Sequence, residues 1–301
     1  MNILIIGLGA IGKRHLEGAM RFNHELNIYI YDIKFDNTFN SNKIIRVANL
    51  NHLNAFSSQF DLVIVSTTVN ERFAICKKII KLVKIKNLIL EKFVFRNINQ
   101  FNTFDKIIKE KKINTYINCP RRNYNIYKYL KKNFFKNKNK IINIEINYSN
   151  FGILSNSIHI IDLLFYLIGK KIKLKKINIS SFKIIKTKRK LYSDISGLIK
   201  FYFHDNESTI TISDSLKKNN FKICSTNKIF KILEAKNSIV SDKIIKFNDD
   251  IYQSNLTSKY IYSLYKNQKI NLPTYESLLQ VQKFYISYLR RNKKFANINF
   301  T

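Results

Sequence analysis

Gly7, Gly9 and Gly12 stand at G-x-G-x-x-G spacing directly behind the apolar run Ile3 to Ile6. Residues of this type in this order build a phosphate cradle. The first glycine permits a tight strand-to-helix turn, the second lets the backbone approach a pyrophosphate, and the third lets helix and strand pack closely. Ala10 and Ile11 would then open a helix whose free N–H groups and partial positive charge suit a dinucleotide. The chain has only 7 glycines in 301 residues, so three at this spacing arise by chance on the order of a few times in a thousand. Asp32 lies twenty residues past Gly12, where a carboxylate can accept hydrogen bonds from the adenosine ribose and would repel a 2′-phosphate. NAD is therefore favoured over NADP, a preference that the neighbouring Lys34 moderates.

A second group of polar residues falls in the middle of the chain. Ser155, His159 and Asp162 are spaced i, i+4 and i+7 in an apolar stretch ending at Gly169, so they share one face of a predicted helix. That face reads either as the lining of a cleft or as a His–Asp pair satisfied at a helix–sheet junction. Arg121 and Arg122 form a fork suited to phosphate or carboxylate recognition, or else a surface pair. No third ligand is spaced to complete a metal site with His159 and Asp162, and no metal is expected.

These residues need a scaffold, and the hydrophobic periodicity supplies one. Strands are predicted at 2–7, 27–32, 61–66, 87–90 and 115–118, with helices at 10–22, 72–83 and about 101–111 between them. Alternation of this kind implies an N-terminal Rossmann unit with a doubly wound parallel sheet over residues 1–119. Beyond Pro120 the pattern changes to a helix at about 123–133, strands at 141–148, 172–182, 195–203, 208–213 and 221–225, and helices at 155–168 and 275–291. Residues 120–301 therefore read as a C-terminal α+β domain on a largely antiparallel sheet.

Composition narrows the function classes. With 45% hydrophobic and 13% aromatic residues the chain has ample apolar surface to fold. Its net charge of +33 invites a nucleic-acid reading. The lysines, however, are spread along the whole chain, in pairs such as Lys77-Lys78 and Lys131-Lys132. Abundant Lys, Asn, Ile, Phe and Tyr beside scarce Gly, Pro and Trp is the signature of an A+T-rich coding sequence, so no specific nucleic-acid partner is expected. Cys76, Cys119 and Cys224 are too few and too far apart for a disulfide framework. The short apolar opening fits neither a signal peptide nor a membrane span, and the expected compartment is the reducing cytoplasm.

The run Gly-Leu-Gly-Ala-Ile-Gly-Lys-Arg-His at 7–15 resembles the opening of the glucose–fructose oxidoreductase / inositol dehydrogenase (Gfo/Idh/MocA) family. Further segments resemble it in order: Ser66-Thr67-Thr68-Val69-Asn70, the loop beside the nicotinamide half of the cofactor; Leu90-Glu91-Lys92, its Glu-Lys-Pro signature; Asn118-Cys119-Pro120-Arg121-Arg122, its Asn-x-Arg-Arg segment; and His159-Ile160-Ile161-Asp162, its His-x-x-Asp. Leu272-Pro273-Thr274-Tyr275-Glu276 echoes the C-terminal segment. Three positions depart from the pattern. Phe93 replaces the signature proline, Arg72 stands where a His is frequent, and Ser155 occupies the place of an Asp in many members.

The resemblance implies an NAD-dependent dehydrogenase or reductase acting on a sugar, nucleotide sugar or cyclitol, with a hint of surface-glycan sugars. It makes Ser66, Thr67, Thr68, Asn70 and Glu91 cofactor-binding residues. Lys92 and His159 become the acid–base pair, with Asp162 orienting the His159 ring, and Arg121, Arg122, Ser155 and Asp162 contact substrate. It also implies a homo-oligomer. An imine or enone reductase on the same fold and a non-catalytic NAD-binding regulator are the competing functions.

Overall fold

In the computed structural model the described residues are 1–22, 24–34, 42–135, 142–169, 172–187, 191–204, 208–214, 219–225, 227–248, 251–295 and 298–299. The chain divides into two compact units, Met1–Pro120 with Asp250–Glu276, and Arg121–Asp249 with Ser277–Thr301.

The first unit runs β1 (Asn2–Ile6), α1 (Ala10–Met20), β2 (Asn27–Tyr31), β3 (Ile44–Arg46), α2 (Leu53–Phe56), β4 (Gln59–Val65), α3 (Val69–Leu82), β5 (Lys84–Leu90), α4 (Ile98–Glu110) and β6 (Asn114–Ile117). Its six strands are ordered β3-β2-β1-β4-β5-β6 and every pair is parallel. Ile3, Leu4, Ile5 and Ile6 of β1 and Leu62, Val63, Ile64 and Val65 of β4 are fully buried. Helices cover both sheet faces in such folds, which is why these strands read as continuous apolar runs. The strand order is that of a doubly wound Rossmann sheet, as the periodicity predicted. Its direction reverses between β1 and β4, and ligands of such sheets sit at the carboxyl ends of those strands. Gly7 and Ser66 follow those ends directly.

The second unit contains α5 (Asn125–Asn133), β7 (Asn143–Asn147), α6 (Ile153–Ile168), β8 (Leu174–Lys186), β9 (Ser193–Phe203), β10 (Thr209–Asp214), β11 (Asn220–Ser225), β12 (Lys228–Leu233), β13 (Ser238–Val240) and β14 (Ile244–Lys246). Eight strands form one sheet ordered β14-β13-β12-β11-β7-β10-β9-β8. Only β7 and β10 pair in parallel, so the sheet is largely antiparallel as expected. Residue 141, where the first of these strands was predicted to start, lies outside the described residues. Helix α6 is buried on most of its circumference and packs on β9 and β10. It ends where Gly169 takes a left-handed φ of 77° and donates its N–H to Phe165 O at 3.0 Å, the usual glycine stop.

The chain then forms α7 (Gln253–Tyr265) and α8 (Tyr275–Arg291). Sequence reading assigned all of 120–301 to the second domain, whereas residues 250–276 fold with the first unit. The cause lies in packing. A Cβ on Gly18 of α1 would sit 2.2 Å from Ser254 O and 2.7 Å from Thr257 Cβ, so the missing side chain lets α7 lie directly on α1. Farther on, Ile117 N donates to Pro273 O at 2.9 Å and Tyr275 Oη to Phe101 O at 2.9 Å, tying the returning segment to β6 and α4.

Candidate functional site

The glycine loop has two closed positions and one open one. Gly7 has φ 88° and donates its N–H to Tyr31 O at 2.8 Å. A Cβ there would meet Thr67 N at 2.9 Å, and one on Gly12 would lie 1.8 Å from Gly7 O and 2.8 Å from Ser66 Oγ. Gly9 differs, because a Cβ added there meets nothing within 4 Å. It caps α1 without a side-chain hydrogen bond, so the helix presents its first N–H groups beside an exposed backbone. Ser66 braces the floor by donating from Oγ to Gly7 O at 2.6 Å and from N to Ile6 O at 2.8 Å. Thr67 Oγ1 is buried, with no hydrogen-bond partner among the described residues. A cradle closed beneath and open at Gly9 fits a dinucleotide phosphate.

Asp32 lies beside this loop with both carboxylate oxygens already engaged. Oδ2 accepts from Leu8 N at 2.5 Å and Oδ1 from Lys34 N at 2.7 Å. It therefore shapes the loop, and only its remaining lone pairs face any ribose. Thr68 precedes α3 and donates from Oγ1 to Glu71 at 3.0 Å, while Asn70 Oδ1 accepts from Arg96 at 2.7 Å.

Glu91 and Lys92 follow β5 and differ in burial. Lys92 is half-buried, whereas Glu91 is buried. Glu91 Oε1 accepts from Asn118 Nδ2 at 2.6 Å and lies 3.5 Å from His15 Nε2. His15 Nδ1 meets Thr257 Oγ1 at 2.8 Å, and Asn118 Nδ2 also reaches Gln253 Oε1 at 3.2 Å. Burial works against the Glu91 charge, yet the His15 ring, the Asn118 amide and the Lys92 ammonium together hold its carboxyl below the usual range. The expected cofactor ligand Glu91 is thus a buried strut of the first unit, joined to α1 and α7. Sequence reading placed His15 in the family-like run 7–15 without a partner and missed Thr257 and Gln253.

In the second unit Ser155 and His159 share the partly exposed stripe of α6, and Asp162 is wholly buried. Asp162 was expected to orient His159. Instead its carboxylate is gripped by Arg122, whose Nε donates to Oδ2 at 3.0 Å and whose Nη2 donates to Oδ1. Burial lifts the Asp162 carboxyl to about 6 against the opposing pull of that guanidinium. Arg121, expected to meet substrate, closes its fork on Glu234 at 2.8 and 3.1 Å, and Tyr127 Oη donates to the same carboxylate. Burial opposes the Glu234 charge, but Arg121 and Tyr127 hold the carboxyl below its usual range. Both forks therefore recognise carboxylates, and both carboxylates belong to the same unit.

Ser155 takes a partner that no spacing reveals. Its Oγ donates to Asp194 Oδ2 at 2.6 Å and its N–H to the same oxygen at 3.1 Å, while Leu154 N and Ile195 N donate to Oδ1 at 2.7 and 2.8 Å. Asp194 on β9 thus caps α6 from another element. Gly152, with φ 67°, leaves room for it, since a Cβ there would lie 3.1 Å from Asp194 Oδ2.

Residues 1–118 match the oxidoreductase family with an NAD-binding Rossmann fold, Gfo/Idh/MocA. This stretch is similar to the NAD-binding domain of that oxidoreductase family. No curated protein sequence matches the chain. Among solved structures, a dehydrogenase (MviM) from Clostridium difficile is similar over 97% of this chain and 99% of its own, at 16% identity and TM-score 0.71. UDP-N-acetylglucosamine 3-dehydrogenase from Acidithiobacillus ferrooxidans is similar over 98% of each chain, at 11% identity and TM-score 0.69. A super-repressor mutant of Gal80p from Saccharomyces cerevisiae is similar over 100% of this chain and 98% of its own, at 13% identity and TM-score 0.73. At these identities the likeness is one of fold, and it extends through both units. Among the described residues no helix is long and apolar enough to cross a membrane.

Proposed function

We propose that the protein is an NAD-dependent dehydrogenase or reductase that interconverts a hydroxyl and a keto group on a sugar, nucleotide sugar or cyclitol. The observation that carries this reading is the cradle at Gly7, Gly9 and Gly12, filled beneath and open at Gly9. The nucleotide-sugar class is suggested by the Acidithiobacillus enzyme that shares the fold. Asp32, with its carboxylate beside the loop, supports NAD over NADP.

Gly9, Ala10, Ile11 and Gly12 would hold the pyrophosphate, Asp32 the ribose, and Ser66, Thr67, Thr68 and Asn70 the nicotinamide half. When bound, the nicotinamide supplies or accepts the hydride. Lys92 takes the hydroxyl proton as the carbonyl forms, and returns it in the reverse direction. His159 donates a hydrogen bond to the reacting oxygen, and Ser155 binds a further substrate group. The Ser155 hydroxyl already donates its hydrogen bond to Asp194, so its oxygen's lone pairs are left to accept from a donor such as a sugar hydroxyl. Arg121 and Arg122 act on substrate by shaping the second unit through Glu234 and Asp162. The same reading places the protein in the cytoplasm as a homo-oligomer, with no specific nucleic-acid partner.

The test is NADH binding followed by fluorescence, together with turnover on a panel of nucleotide sugars and cyclitols. Lys92→Ala lowers kcat by roughly a hundredfold or more, and full turnover in that variant would sink the assignment. A second reading, an NAD-binding regulator without turnover, draws on the fold shared with Gal80p and on Asp162 being held by Arg122 rather than by His159. Tight NADH binding with no oxidation or reduction of any panel member would favour it.

A further inference from the structure

Arg72, in the first turn of α3, is 1% exposed. Its guanidinium reaches backbone carbonyls on two loops. Nη1 donates to Glu91 O at 2.6 Å, to Val94 O at 3.3 Å and to Phe93 O, and Nη2 donates to Thr67 O. Three of these oxygens belong to the turn after β5, and the Glu91 and Phe93 carbonyls flank Lys92 on either side. The fourth belongs to the loop after β4. Burying a guanidinium costs more than burying an apolar side chain of the same volume, so simple filling of space does not account for it. A planar fork with five donors can fix several carbonyls at set spacings, which a lysine ammonium cannot.

Phe93, Val94 and Phe95 are fully buried, and the Phe95 ring stands edge-on to Phe73, Phe101 and Phe104 at 4.9–5.4 Å between centroids. Glu91 is anchored through its carboxylate to His15 and Asn118. Residues on both sides of Lys92 are thus fixed by their side chains, and Arg72 holds the carbonyls of Glu91 and Phe93. Lys92 is half-buried between buried neighbours on both sides. The two departures from the family pattern at 72 and 93 meet at the Phe93 carbonyl.

We propose that Arg72 is a positioning residue for Lys92, a carbonyl clamp that joins the Glu91–Val94 turn to the Thr67 loop and transmits occupancy of that loop to the lysine. The proposal rests on the reading of Lys92 as the proton-transfer group. It is tested by competitive acylation of the folded protein, with Lys92 labelling read by mass spectrometry against Lys86, which is paired with Asp61 in the same unit. In the wild type, NADH lowers the Lys92 to Lys86 labelling ratio. In Arg72→Lys, which keeps the charge and loses the fork, that NADH response shrinks by about tenfold, the factor that one lost charge-assisted hydrogen bond confers.

Arg72→Ala shows the same loss, and should it fail to fold, Arg72→Lys carries the test. A folded Arg72→Lys whose Lys92 labelling and NADH response equal those of the wild type overturns the clamp. The two failures are distinguishable. Full turnover in Lys92→Ala would overturn the role of Lys92 and leave the labelling result standing.

Discussion

The glycine loop makes two opposite predictions for one chemical change. Alanine at Gly12 places a methyl carbon 1.8 Å from Gly7 O and 2.9 Å from Gly7 C, so helix and strand must part by more than an ångström. Overpacking of this kind costs about 3 kcal/mol. For a chain of this size that lowers Tm by roughly 6–12 °C. Alanine at Gly9 meets nothing within 4 Å, and the backbone there, at φ −64° and ψ −175°, is one that alanine adopts freely. The entropy removed from the unfolded chain and the poorer helix cap nearly cancel, leaving stability within about 0.5 kcal/mol of the wild type.

Binding reverses the order of interest. The Gly9 methyl projects into the space through which a pyrophosphate would approach, and NADH affinity falls by about tenfold to a hundredfold. Urea unfolding and NADH fluorescence titration on the three proteins decide the matter. A Gly9→Ala variant that binds NADH within about twofold of the wild type refutes the cradle, because the open position would then face no phosphate.

The remaining predictions concern the second unit. Burial raises the folded Asp162 carboxyl from 3.8 to about 6, against the pull of Arg122. The folded chain therefore keeps a proton that the unfolded chain releases, so this contribution is fully present below the unfolded value and is lost as pH rises through 6. The unfolding free energy of the wild type relative to Asp162→Asn should fall by roughly 3 kcal/mol between the two limits, and a difference independent of pH refutes it. Asp194→Ala removes the acceptor of four donors, three of them on residues 154 and 155 at the start of α6. A lost cap together with stranded buried donors costs about 3 kcal/mol, measured by urea unfolding; a loss below about 1 kcal/mol contradicts the capping role.

Legibility in the sequence followed the range of the interaction. The parallel sheet was readable because strands buried on both faces form apolar runs such as Leu62-Val63-Ile64-Val65, and the loop was readable because three glycines in twelve residues need no distant partner. Strand β3 was missed because Ile44, Ile45 and Arg46 are only partly buried or exposed and offer no such run. Strands β12 to β14 were missed because each is short and partly exposed, although the alternation in Lys228-Ile229-Phe230-Lys231-Ile232 carried a signal. Helix α7 buries a stripe containing Gln253, Ser254 and Thr257 beside Leu256, Tyr260 and Ile261, so half of its packing face reads as polar. The partners of the site residues lie farthest from local pattern. His15 meets Thr257 across 242 positions and Arg121 meets Glu234 across 113, and no spacing rule reaches that far.

The charge imbalance sharpens what remains. In a chain with 53 Lys+Arg and 20 Asp+Glu, a lysine carries little information, because composition alone places one almost anywhere. A carboxylate is scarce, and a buried one must be compensated. Glu91 joins His15 and Asn118, Asp162 takes Arg122, Asp194 caps α6 at Ser155, and Glu234 closes on Arg121 and Tyr127. Each of these acids touches or adjoins a residue singled out for chemistry. Lys92 is therefore better identified by its setting, between the Glu91 strut and the carbonyls held by Arg72, than by being a lysine. In so basic a chain, the scarce buried acids show, within each unit, which neighbouring side chains are held in place.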